Sequence, residues 1–287
     1  NGEKLESFVS DPQTIKYFKN SMVQNYWKEA FKINDGTKIV DFIKKQGITN
    51  NTFTNSFNKK FLQDYDDTME ILKLIPKNYS LLDHNTKKIS LPRLMQLYFT
   101  NKIRKNPYYL NLSGTGSGKT LSAVLASRIM DCKVTLVVCP NDVVEQWGGN
   151  PKKCKNGDIK DIFPDSIVYT KDDVFTAKLG TTKHQYLILN WEKFQIDSVV
   201  NKLFKLEKTK IDFIVLDEIQ FVKIRGKVAG RRRKHLEAFI NGVKETNPKV
   251  KIVGLSATPV INELSEGRSL LNLVSGGGYD DTNLKVK

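Results

Sequence analysis

The chain has 287 residues, 39% of them hydrophobic, which suffices for one large core plus an accessory region. No stretch approaches the roughly 18 apolar residues of a membrane span and no signal peptide is apparent, so a helical membrane protein is excluded and a cytoplasmic setting is expected, in a bacterium or at a site of viral replication. A net charge of +15 favours polyanion partners, although only eight of the 46 basic residues are arginine, a usage that an A·T-rich genome also produces.

In chain order, residues 1–90 read as a helical accessory region with amphipathic runs at Thr14–Phe31 and Asn58–Leu74, split by the polar, turn-rich stretch Gln46–Ser56. Asp64, Asp66, Asp67 and Glu70 fall on a solvated helix face; no catalytic constellation is found there. Residues 91–274 alternate strands (108–112, 133–139, 166–169, 186–190, 211–216 and 251–255) with helices, the pattern of a doubly wound parallel α/β sheet. Residues 275–287, opened by Ser275-Gly-Gly-Gly278, read as a linker. The start at Asn1 rather than a methionine reads as a fragment or a processed chain. Cys132, Cys139 and Cys154 lack paired metal spacing, and the first two read as inert core thiols.

Ser113-Gly-Thr-Gly-Ser-Gly-Lys-Thr120 lies between a β-prone run and a helical apolar pattern, the context a phosphate-cradling loop needs. Gly114, Gly116 and Gly118, with Thr115 and Ser117 between them, are expected to curl the backbone with φ > 0 so that N–H groups meet phosphate oxygens of ATP. Lys119 would reach the β- and γ-phosphates and Thr120 would ligate Mg²⁺. Asp217-Glu218 ends the buried run Ile211–Leu216, at the edge where open α/β sheets bind ligands. Asp217 would hold Mg²⁺ and Glu218 would polarise the attacking water.

Three further blocks, Leu136–Trp147, Tyr186–Phe194 and Leu255–Leu264 with Ser269–Asn272 after it, stand in fixed order around these two. Together the five resemble superfamily 2 helicases, and within them the Swi/Snf-type DNA translocases, over roughly residues 91–274. The resemblance implies a RecA-like lobe, ATP with Mg²⁺, duplex DNA as partner and a second RecA-like lobe in the parent chain. It makes Ser256-Ala257-Thr258 the coupling segment together with Gln220, which stands where most relatives carry histidine or aspartate. It places nucleic-acid contacts on Pro140–Asn141 and Asn190–Trp191, and makes Gln96 the adenine reader.

The cluster Lys223, Arg225, Lys227, Arg231, Arg232, Arg233 and Lys234 reads either as a solvated face or as a strip toward phosphates. The loop Gly148–Lys155 is basic enough to join the nucleic-acid contacts. An RNA helicase lobe and a nucleotide-binding scaffold with little turnover are the alternatives; a P-loop transporter or kinase is argued against by Ser256–Thr258. The arginine finger of such motors comes from the second lobe, and only Arg268 follows Thr258 here, so this chain is expected to be near-inactive alone.

Overall fold

The structure, a computed structural model, describes residues 52–83, 85–150, 153, 155–222, 230–258 and 264–277. The run Thr14–Phe31, the basic residues Lys223, Arg225 and Lys227, and Cys154 lie outside them. The described residues fall into two compact units, one of 52–74 with 92–98 and the other of 75–91 with 99–277.

The first unit holds helix α1 (Thr52–Leu74), which starts inside the stretch expected to be a turn. Phe53, Phe57 and Phe61 recur every fourth residue, and this helical period outweighs the polar residues between them. Ile71 and Thr68 are buried, the Thr68 hydroxyl donating to the Asp64 carbonyl at 2.6 Å. Asp66 and Glu70 are exposed, whereas Asp64 and Asp67 are half-buried. Helix α2 (Leu94–Lys105) begins in this unit.

The second unit is built on six parallel strands: β1 (Tyr108–Asn111), β2 (Val134–Cys139), β3 (Ile167–Thr170), β4 (Gln185–Asn190), β5 (Phe213–Asp217) and β6 (Lys251–Leu255). Their spatial order is β1-β6-β5-β2-β4-β3, the RecA-like doubly wound arrangement expected from the sequence. β2 and β5 are buried throughout, as central parallel strands covered on both faces must be. Successive side chains alternate between the faces. Val134, Leu136 and Val138 join one core with Leu203 of α6 (Asp197–Glu207), Leu236 and Ile240 of α7 (Arg231–Thr246) and Leu270 of α8 (Leu264–Ser275). On the other face lies α3 (Lys119–Ile129), whose Ser127 hydroxyl meets the Tyr186 hydroxyl at 2.7 Å. The short helices α4 (Val144–Gly148) and α5 (Asp158–Ile162) complete the order.

Candidate nucleotide-binding site

β1 ends at Asn111, which is fully buried and fixes the loop that follows. Its side-chain oxygen accepts from the Ser113 N–H at 3.2 Å, and its carbonyl accepts from the Ser256 N–H at 3.1 Å. One residue thus ties the phosphate loop to the coupling segment. Within the loop the Ser113 and Ser117 hydroxyls lie 2.7 Å apart. Gly116 and Gly118 take left-handed φ of 72° and 79°, where a side chain would be strained. Gly114 does not, so two rather than the expected three glycines make the turn. Gly118 precedes α3 without any side-chain cap, leaving first-turn N–H groups available to an anion. The Lys119 ammonium donates to the carbonyls of Ser113 and Gly114, both at 3.0 Å, and is held over the loop, while Thr120 sits half-buried in the first turn.

Asp217 closes β5 with its carboxylate almost wholly buried. One oxygen accepts from the Trp147 indole at 2.8 Å, the other from the Glu218 N–H at 3.1 Å, and its carbonyl accepts from the Trp191 indole at 3.0 Å. Burial pushes the carboxyl up to about 6, against the Trp147 hydrogen bond and the field of Lys119, which both favour the anion. β1 and β5 flank β6, with Asn111 and Asp217 both opposite Leu255, which brings the loop and the carboxylate to one edge of the sheet. The Thr120 hydroxyl and the Asp217 carboxylate are hard oxygen donors, a set that fits Mg²⁺. Each carboxylate oxygen, with one hydrogen bond, retains a lone pair for it.

Glu218 stands at φ 52°, the left-handed region a glutamate seldom adopts, which turns its side chain away from the strand direction. From there a chain of hydrogen bonds runs to the coupling segment. The Gln220 amide donates to the Glu218 carboxylate at 2.6 Å, and its oxygen accepts from the Ser256 hydroxyl at 2.7 Å. The Ser256 oxygen in turn accepts from the Thr258 N–H at 3.0 Å, across the half-exposed Ala257. Gln220 can do this because an amide offers donor and acceptor together without a proton to gain or lose.

Gln96 belongs to the first unit, where its side-chain oxygen accepts from the Arg93 N–H at 2.8 Å at the start of α2. Asn141 and Asn190, at the ends of β2 and β4, are joined by a 2.9 Å hydrogen bond, so the two blocks expected to contact nucleic acid meet at one edge. Pro140 is buried beside them. Trp191 is a correction: wholly buried and bonded to Asp217, it has no surface to offer a phosphate backbone. Arg233 is another. It is buried and donates to Glu237 at 2.6 Å, to the Val222 carbonyl at 3.2 Å and to the Ser269 carbonyl at 2.8 Å, pinning α7 to its neighbours. Arg231 is exposed beside Asp197 at 3.2 Å, and Arg232 is mostly covered, near Glu192 at 3.9 Å. In the basic loop, Lys153 is partly neutralised by Glu145 at 3.2 Å. The position of Arg233 was signalled in the sequence: Leu236, Ile240 and Val243 follow it at helical spacing, on the apolar stripe. Trp147 ends one of the blocks that carry the resemblance, which marked its position but not its partner.

A family model described as DEAD/DEAH box helicase matches residues 95–266. No curated protein sequence matches the chain. Among solved structures, the Sulfolobus solfataricus SWI2/SNF2 ATPase core in complex with double-stranded DNA is similar at 17% identity and a TM-score of 0.49, over 71% of this chain and 39% of that one.

Proposed function

Because this chain belongs to the DEAD/DEAH box helicase family, we propose that it is the first RecA-like lobe of an ATP-driven duplex-DNA translocase, working with a second such lobe in its parent. The single observation that carries the motor reading is the run Glu218–Gln220–Ser256–Thr258. A group placed to polarise water is hydrogen-bonded, through one amide, to the segment that follows the next strand. A change at the γ-phosphate therefore has a mechanical path out of the site.

The roles follow from the residues. N–H groups around Gly116 and the start of α3 receive the phosphates, and Lys119 exchanges its loop carbonyls for phosphate oxygens. Thr120 and Asp217 would hold Mg²⁺, which supplies charge neutralisation on the transferred phosphoryl group when bound. Glu218 orients the water, and Asn141 with Asn190 offers small polar groups to one strand's backbone. The resemblance of the five sequence blocks to Swi/Snf-type translocases supports DNA, and supports a parent in restriction, phage defence or a virus, acting in the cytoplasm of a bacterium or at a site of viral replication. Among the described residues no helix is long and apolar enough to cross a membrane.

Gln220 also favours a second reading, a nucleotide-binding scaffold, since it replaces the histidine or aspartate usual in relatives. Hydrolysis by the intact parent, measured with duplex DNA and with duplex RNA, separates the possibilities. Stimulation by DNA is expected. Stimulation by RNA alone would make this an RNA helicase lobe, and none with either would leave the scaffold.

A further inference from the structure

Both buried tryptophans of the described sheet unit converge on Asp217, but they do different things. Trp191 donates to its backbone carbonyl, which any core indole could use. Trp147 donates to a carboxylate oxygen, Oδ2, at 2.8 Å. We propose that Trp147 is a positioning residue for magnesium: its indole N–H fixes the Asp217 carboxylate in the orientation that ligates the ion, tying the segment after Pro140–Asn141 to the metal site. This rests on the reading of Asp217 as the magnesium ligand.

The geometry suits such a role. An aspartate side chain turns about two bonds, and one hydrogen bond leaves it free to swing. Here Glu218 N–H holds Oδ1 and Trp147 holds Oδ2, so the carboxylate plane is set before any ion arrives. The indole is a donor only, so it orients the oxygen without competing for the cation. Its own place is fixed, because Trp147 is 1% exposed and α4 has no slack. A side chain at Gly148 would run into Thr170 and Ile188, and one at Gly149 into the backbone of Lys155 and Gly157.

Trp147→Phe keeps most of the ring and removes the N–H. ADP binding to the full chain should be measured with Mg²⁺ and again in EDTA, and the ratio of the two affinities taken as the magnesium gain. In Trp147→Phe the affinity in EDTA should hold while the gain falls about tenfold, the usual loss when a partner of a metal ligand is deleted. Val144→Ala, a lesion in the same helix that removes no hydrogen bond to Asp217, should keep the gain. An unchanged gain in Trp147→Phe, or an equal loss in Val144→Ala, would overturn the proposal. Should Trp147→Phe fail to fold, Trp27→Phe/Trp191→Phe leaves Trp147 as sole emitter. Its fluorescence should change with magnesium–ADP and not with ADP in EDTA; identical spectra would overturn the proposal equally. Wild type that binds no ADP at all would instead refute the nucleotide site, and the inference with it.

Discussion

At the scale of single residues, the site holds a carboxyl where burial resists its charge. Asp217 is pushed up to about 6, whereas an unfolded aspartate titrates near 3.9. The folded chain therefore binds the proton more tightly than the unfolded chain. The stability this contributes is complete below about pH 4 and is lost as pH rises through 6. Two pH units correspond to roughly 3 kcal/mol. Thermal unfolding of wild type and Asp217→Asn, followed from pH 4 to 7, should show wild type losing ground to the variant across that window; parallel curves would refute it. The Glu218–Gln220–Ser256 chain gives a second expectation. Glu218→Gln should bind nucleotide and stop turnover in the parent. Gln220→Ala should leave nucleotide affinity within about threefold and lower DNA-stimulated hydrolysis at least about tenfold, because the amide acts between sites rather than on the nucleotide. Equal hydrolysis by wild type and Glu218→Gln would remove the water-polarising role.

At the scale of elements, the two faces of α7 make opposite predictions. Removing Arg233 deletes its buried hydrogen bonds to the Val222 and Ser269 carbonyls. Arg233→Ala should cost about 2–4 kcal/mol in denaturant unfolding. Arg231→Ala, at an exposed pair with Asp197, should cost within about 0.5 kcal/mol. If α7 faces DNA, the same Arg231→Ala should lower the slope of log affinity against log salt by about one, and an unchanged slope returns it to the solvated face. The strands were legible from sequence because buried parallel strands read as unbroken apolar runs, as Val134–Cys139 and Phe213–Asp217 do. The places of Lys119 at the start of α3 and of Asp217 and Glu218 at the end of β5 were legible because they depend on local backbone pattern. The shared partner of Trp147 and Trp191 was not, since Asp217 is distant in sequence and only the sheet order brings β2, β4 and β5 side by side. Arg233 was misassigned because a run of like charges masked the stripe on which it lies.

At the scale of the molecule, the site has a loop lysine, a carboxylate pair and, through Gln220, a hydrogen-bonded link to Ser256. If the arginine finger comes from a second lobe, as the resemblance implies, this lobe alone should bind ATP weakly and hydrolyse it negligibly with saturating DNA, since such a finger contributes a factor of about 10³–10⁵. A turnover assay on the isolated chain checks this, and robust DNA-stimulated hydrolysis would place the catalytic arginine within it.

The sheet order has a consequence for how such a lobe is born. β1, which delivers the phosphate loop, pairs with β6 alone among the described strands, Tyr108 opposite Ile252 and Asn111 opposite Leu255. On a ribosome the loop emerges early and must wait, unpaired, until nearly the whole lobe has been made. ATP thus cannot template the early stages of folding. If the loop binds nucleotide as proposed, ATP should stabilise the lobe only once β6 has paired with β1.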